Sequence, residues 1–299
     1  MPVAARRSEL LRRQLERFTS TLSGVEQGEV RALHRARVGS RRLRELVPLL
    51  QLDGDSARKL GRRLKKVTSR LGAVRELDVL LLLIDELSSA RSAHTAALRR
   101  LRTVVDKERD AARAHLNAHA PTGDMRRIAG KLDRIVSELD RSRRPRAARD
   151  EHGWRWAVDA RIAHRAARLA TAMTRAGAMY LPERLHEVRI ALKKLRYAAE
   201  LAATIDGRAP SAGVRALKRG QDLLGRMHDL QVLIDRARQV QASLSPPNLA
   251  VWRELDALVV SLEDECRRLH ARYVRARTSF AGVAERLGAK PASRRRRAG

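Results

Sequence analysis

The chain has 299 residues, a length at which single cores begin to split, and 43% are hydrophobic, which is ample for a folded interior. Aromatic residues make up only 3%, so packing falls to aliphatic side chains, and the abundance of Leu, Ala, Arg and Glu favours helix. The 64 Lys and Arg residues outnumber 34 Asp and Glu, a net charge of +30 that repels itself and calls for a polyanionic partner. The one cysteine, Cys266, excludes an internal disulfide and a thiol metal site. Arg6, Arg7, Arg12 and Arg13 interrupt the amino terminus, so no signal peptide is expected there. The longest apolar run, Val79 to Ile84, is too short to span a bilayer, and the expected setting is the cytoplasm, with no membrane partner.

Apolar residues recur at helical spacing along the whole chain. Helices are predicted over 5–22, 27–50, 56–88, 91–119 and 124–140, and then over 154–177, 182–204, 211–243 and 247–286. Asp53-Gly54-Asp55, Pro121-Thr122-Gly123, Asp206-Gly207 and Pro246-Pro247 read as turns, and Pro182 suits the first position of a helix. The Arg-rich stretch 141–152, with Pro145, reads as a linker between a first half (1–140) and a second half (153–287). Residues 288–299, with Ser293 to Arg297 at their centre, read as a basic disordered tail.

The halves repeat each other. Leu33, His34, Arg37, Val38, Arg41, Arg42, Leu43 and Arg44 return as Leu185, His186, Arg189, Ile190, Lys193, Lys194, Leu195 and Arg196, at a constant offset (186 − 34 = 152). Leu64, Lys65, Lys66, Leu71, Gly72, Glu76, Leu77, Val79 and Leu80 return as Leu217, Lys218, Arg219, Leu224, Gly225, Asp229, Leu230, Val232 and Leu233, one residue further on (217 − 64 = 153). Two blocks in the same order indicate an internal duplication.

On a helix, positions 34, 37, 41 and 44 share one narrow arc, opposite Ala36, Leu43, Leu46, Val47 and Leu50. The second copy sets His186, Arg189, Lys193 and Arg196 against Val188, Leu195, Ala198 and Ala202. A cation row without acidic partners at i+4 is unfavourable, since like charges at that spacing repel. A single stripe of this kind reads as a solvated face; its repetition points to a polyanion site. Arg62, Lys65 and Lys66, matched by Arg215, Lys218 and Arg219, would border the same grooves, with simple solubility as the alternative. Gly39 and Ser40 weaken helix propensity where the second copy has Ala191 and Leu192, and Glu187 replaces Arg35, so the two stripes are unequal.

Neither His34 nor His186 has a metal-ligand set at suitable spacing, and neighbouring arginines would repel a cation, so phosphate hydrogen bonding by a protonated ring is the expected role. His228-Asp229 resembles a catalytic pair, but its counterpart is Arg75-Glu76, which favours a cap or ion pair. No phosphate loop, zinc-protease motif or nucleophile elbow occurs. No enzyme activity, cofactor or metal is expected.

At the repeated His-x-x-Arg-x-x-x-basic-basic-Leu-Arg helices and Leu-Gly-x-x-(Arg/His)-(Glu/Asp)-Leu-x-Val-Leu segments the chain resembles the CHAD domain family, the conserved histidine α-helical domain, from about Ser8 to Leu287. The resemblance implies an all-α fold of two four-helix bundles related by pseudo-two-fold symmetry, with a basic groove or cavity. It also implies binding of inorganic polyphosphate, in some bacterial members at polyphosphate granules. Family members often adjoin a triphosphate-hydrolysing domain, for which these 299 residues have no room, so binding without hydrolysis is expected. Matched by position, His34, Arg37, Arg41, Arg42 and Arg44, with His186, Arg189, Lys193, Lys194 and Arg196, would contact phosphates. The rival reading is a sequence-independent nucleic-acid-binding protein, since contacts to backbone phosphates carry no sequence information. Scarce Phe and Tyr, and the lack of a stacking platform, weigh against it.

Overall fold

The computed structural model describes residues 3–50, 52–90, 94–141, 147–244 and 248–289. Among them the chain forms ten α-helices and one 3₁₀ turn, and no strand. The helices are α1 (Val3–Thr19), α2 (Leu22–Glu26), α3 (Val30–Leu46), α4 (Gly54–Ala90), α5 (Thr95–Ala118), α6 (Thr122–Arg141), α7 (Ala147–Ala176), α8 (Pro182–Ile205), α9 (Ala212–Ala242) and α10 (Leu249–Gly288). The all-α expectation holds. No helix among the described residues is long and apolar enough to cross a membrane. Much of the expected linker (142–146), the basic tail (290–299), Pro246-Pro247 and the start of the helix read over 91–119 lie outside the described residues.

Several element boundaries differ from the sequence reading: the helix expected over 5–22 stops at Thr19 and α2 follows it, Arg141 still belongs to α6, and α7 begins at Ala147, so residues 147–152 of the expected linker are helical. At the two ends of α3 the reason is local. Gly28 takes φ of 69°, a left-handed conformation that separates α2 from α3, so the helix predicted over 27–50 begins only at Val30. At its other end Pro48 lacks the N–H that an α-helix needs, and the chain tightens into the 3₁₀ turn Val47–Leu49. Two of the expected turns begin or close helices. The Asp53 carboxylate accepts the Ser56 N–H at 2.8 Å and caps α4. Gly207, at φ of 66°, closes α8, with the Arg208 N–H donating to Ala203 at 2.8 Å.

The structure divides into two compact units: Met1–Ala147 with Asp229–Glu265, and Ala148–His228 with Cys266–Gly299. Helices α9 and α10 are each divided between them. In the first unit α1 lies against α3 and α6, and α4 lies against α3 and α6, so these four helices close a ring; α5 packs on α4. Leu11, Phe18, Leu43, Leu46, Leu64, Leu71 and Leu132 fill the interior without measurable exposure. Glu254 of α10 accepts the N–H groups of Ala96 and Ala97 at 3.0 and 3.1 Å, placing a carboxylate on the positive end of α5.

In the second unit α8 lies against α9, and the last turns of α10 take the fourth place. A Cβ at Gly220 of α9 would fall 2.8 Å from Phe280 Cζ of α10 and 2.9 Å from Leu192 Cδ1 of α8. At its far end Gly288 of α10 approaches α7, where the same construction reaches Ala166 at 2.9 Å. Gly220 is therefore a point of three-helix contact rather than a flexible position. Gly220→Ala is expected to lower stability by about 1–3 kcal/mol through overpacking. Gly130→Ala on α6, where a methyl group meets nothing within 4 Å, is expected to raise stability by about 0.5–1 kcal/mol through helix propensity. Urea unfolding midpoints of the two variants, read against the parent chain, check both.

Candidate functional site

In each unit the two repeated blocks meet. Arg37 of α3 lies flat over Gly72 of α4: a Cβ at Gly72 would be 3.4 Å from Nη2 and 3.6 Å from both Cζ and Nε of the guanidinium. Arg189 of α8 takes the matching place over Gly225 of α9, with Nε 3.8 Å from the corresponding point. The glycine repeated in the second block thus leaves room for the arginine repeated in the first. With 18% of its side chain exposed, Arg37 is held at the seam, and Nη2 donates to Glu76 Oε1 at 3.2 Å.

Around each arginine gathers a cluster built from the same four positions. In the first unit these are His34, Arg37 and Arg41 of α3 with Arg75 of α4. Burial and the charges of Arg75, Arg37 and Arg41 hold the His34 pKa below the usual histidine value. In the second unit they are His186, Arg189 and Lys193 of α8 with His228 of α9. The His186 and His228 rings stand 4.4 Å apart by centroid, with their Nδ1 atoms at 3.2 Å. That contact requires one Nδ1 to carry a proton and the other a lone pair. Burial first, and then the charges of Arg189, His186 and Lys193, push the His228 pKa down to about 4.

Arg75 and His228 were missed as site residues. They occupy equivalent positions in the repeat (75 + 153 = 228), which was the available signal, but their different side chains disguised it. The cap or ion-pair role expected for His228 gives way to a ring contact with His186.

The other candidates divide by helix face. Of the apolar residues expected opposite the stripes, Ala36, Leu43, Leu46, Val47, Leu50, Val188, Leu195 and Ala198 are each 3% exposed or less, while Ala202 is half-buried. Arg42 and Lys194 stand roughly 100° from Arg41 and Lys193 on their helices, so each adjacent basic pair is split between two faces. Arg44 is half-buried on α3. Arg196, 13% exposed, is committed within its own unit: it pairs with Glu200, donates from Nε to Gln221 Oε1 at 3.0 Å, and its guanidinium lies 4.5 Å from the Tyr197 ring centre.

On α4 and α9, Lys65 and Lys218 lie about 20° from the Gly72 and Gly225 directions, on the same side as the clusters. Lys66 and Arg219 diverge by about 120°. Lys66 Nζ is instead 4.0 Å from Asp124 of α6, a carboxylate that also takes Arg70 at 3.3 Å. Arg62 and Arg215 diverge by about 80°; Arg215 donates to the Pro210 carbonyl at 2.8 Å. Glu187 does not face the second cluster either, and lies 3.8 Å from Arg175 and 3.6 Å from Arg184. The departures at Gly39 and Ser40 also find structural reasons. Gly39 admits Phe18 of α1, whose Cδ2 lies 3.4 Å from where a Cβ would stand. Ser40 Oγ sits 2.8 Å from Thr68 Oγ1 in the buried seam between α3 and α4.

Each cluster gathers four side chains that carry or can gain a positive charge. Among the described residues no group of three or more His, Cys, Asp or Glu side chains could hold a metal ion. The arrangement suits recognition of a multiply charged anion, with guanidinium forks for paired oxygens and imidazole groups able to gain a proton beside them.

Two solved structures share the fold. The CHAD domain from the plant Ricinus communis is 23% identical, with 98% of this chain and 93% of that one covered and a TM-score of 0.62. PptA from Streptomyces chartreusis is 19% identical, covering 95% of this chain and 99% of that one at a TM-score of 0.63. No curated protein matches the chain. The model of the CHAD domain matches residues 9–238, a span that includes both copies of both repeated blocks, and the chain therefore belongs to the CHAD domain family.

Proposed function

We propose that this protein binds inorganic polyphosphate without cleaving it, through the two clusters centred on Arg37 and Arg189, at polyphosphate granules in the cytoplasm. The observation that carries this reading is the reuse of four equivalent positions for a histidine and its basic neighbours, each cluster anchored by an arginine over a glycine. A linear polyanion presents phosphate oxygens at short, regular intervals, and rows of cations on adjacent helices meet that pattern. The exposed Glu76 offers little resistance, because a surface ion pair contributes only about 0–1 kcal/mol and is readily exchanged for phosphate. Affinity would come largely from released counterions and fall linearly with the logarithm of salt concentration.

Charge reversal tests the assignment. Arg37→Glu combined with Arg189→Glu removes two charge-assisted contacts of about 1.5–3 kcal/mol each, so polyphosphate affinity is expected to fall on the order of 100-fold or more at moderate salt. Titration calorimetry, with circular dichroism to confirm retained helix, reads the effect; an unchanged affinity overturns the site. In competition at one fixed salt concentration, polyphosphate is expected to displace duplex DNA far more readily than DNA displaces polyphosphate. The reverse order would favour the nucleic-acid reading. Phosphate release in the presence of Mg²⁺ is expected to stay at background.

The histidines add a pH dependence whose sign follows from their free-state values. His34 is held below its usual value and His228 at about 4, so both are predominantly neutral at pH 7 without ligand. A bound polyanion favours the charged rings and raises both, so binding takes up protons. Affinity is expected to rise as pH falls from about 8 towards 5 and to level off below the free-state values. Proton uptake measured by calorimetry in buffers of different ionisation enthalpy checks this, and a flat affinity from about pH 5.5 to 8.5 refutes it.

A further inference from the structure

We infer that His115 and His119, at the end of α5, form an open two-ligand site for a divalent transition-metal ion such as Zn²⁺ or Ni²⁺. The two residues are four apart, so their side chains rise from one face of the helix. Both are exposed, and their ring centres lie 4.6 Å apart with the planes tilted by 31°. Two nitrogens on one tetrahedral zinc ion stand about 3.3 Å apart, for Zn–N distances of about 2.0–2.1 Å. Small rotations of the rings therefore bring a nitrogen of each onto a shared ion. The His115 carbonyl accepts twice from residue 119, from its backbone N–H at 3.1 Å and from its ring Nδ1 at 3.2 Å. A carbonyl only accepts, so the His119 Nδ1 carries the proton and Nε2 keeps the lone pair that a metal needs. An N–H donated behind a free ring nitrogen is the support that metal-binding histidines regularly have.

The local surroundings favour a cation although the whole chain carries a charge of +30. His115 lies in the last turn of α5 and His119 caps it, where the final carbonyls form the negative end of the helix dipole. One turn before His115 stand Ala111 and Ala112, and Ala118 lies beside it, so no like charge rises next to the pair. Arg113, the nearest Arg or Lys in the sequence, is turned towards α4, where Nη2 donates to Asp78 at 3.4 Å. More distant charges are screened over about 10 Å at 0.1 M salt. His34 and His228 lack this setting, since arginines beside them already oppose a positive charge. Among the described residues no third His, Cys, Asp or Glu joins the pair, so the remaining positions on the ion fall to water or to a ligand oxygen, and the ion can exchange. Imidazole selects Zn²⁺, Ni²⁺ or Cu²⁺ over Mg²⁺, which prefers oxygen.

Titration calorimetry of the metal-stripped protein tests the site. Saturable binding of Zn²⁺ and Ni²⁺ is expected, and none of Mg²⁺ at the same concentrations. His115→Ala and His119→Ala each put the best helix former at an exposed position, so both variants are expected to keep the helical signal. Each is expected to weaken Zn²⁺ at least about tenfold, the loss that follows removal of even a supporting partner of a metal ligand. Sub-stoichiometric Cu²⁺, a paramagnetic ion, is expected to broaden the ring signals of His115 and His119 before those of the other histidines. Unchanged Zn²⁺ affinity in both variants, as an ion held by the neighbouring rings of His186 and His228 would give, overturns the site. So does a lack of saturable Zn²⁺ binding, the result for two solvated rings that serve only the helix end, and so does equal affinity for Mg²⁺. Polyphosphate affinity of the metal-free protein is expected to be the same in both variants and the parent, so failure of this site does not imply failure of the clusters.

Discussion

The seams between α3 and α4 and between α8 and α9 hold together charges that would otherwise move apart. His34, Arg37, Arg41 and Arg75 form a like-charged group: burial first, and then the charges of the three arginines, hold the His34 pKa down. Beneath them Leu43, Leu64 and Leu71 are fully buried. Burial of each leucine contributes about 1.5–3 kcal/mol, while a like-charge pair on a helix surface opposes folding by only about 0.2–0.5 kcal/mol. The aliphatic interior therefore decides where the cations stand, and the stored repulsion becomes available to an anion that arrives later. In this sense the interior is part of the binding chemistry.

The two seams reach the same result by different packing. In the first unit α3 offers the small Ser40, and the matching positions of α4 hold Val67 and Thr68, all buried. In the second, Leu192 stands where Ser40 did, and Gly220 stands where Val67 did (220 − 153 = 67). Bulk has moved from one helix to its neighbour while the seam stays filled, as close-packed interiors require. The exchange also changes the local chemistry. Ser40 and Thr68 bring hydroxyl groups together at 2.8 Å inside the first seam, whereas at the matching place the second unit packs Leu192 against Gly220 and Phe280. The weak helix formers at 39 and 40 thus reflect packing against Phe18 and Thr68, not a loosened site.

Much of this was legible in the sequence, for physical reasons that also explain what was not. The period of apolar residues located the long helices, because burial on one face imposes 3.6-residue spacing wherever a helix packs. The repeated arginine and glycine were visible as letters, but their contact was not, since spacing along a helix identifies a face without naming the neighbour that covers it. Arg75 and His228 escaped for a related reason: charge and imidazole chemistry occupy one structural position with different side chains. Lys193 and Lys194 looked like a single basic pair, although one residue of helical rise turns the second onto another face. Gly28 and Pro48 had the familiar marks of helix breakers, yet apolar periodicity on both sides masked them.

The units also differ in how firmly their charge is fixed. Position 75 supplies an arginine, charged at every relevant pH, while position 228 supplies a histidine that burial and three neighbouring bases hold neutral until about pH 4. The first cluster is a standing positive field with its guanidinium already ordered over Gly72, so an anion meets a site whose side-chain entropy is largely spent. The second must gain protons to reach comparable charge, and a proton on each ring abolishes the Nδ1 contact between His186 and His228. The folded state of the empty protein disfavours that protonation, so acidification from about 6.5 towards 4 weakens the second unit. A polyanion works in the opposite direction, supplying the negative charge that makes the doubly protonated pair tolerable. The two repeated blocks thus carry one cluster whose charge is set by covalent structure and one whose charge is set by its surroundings.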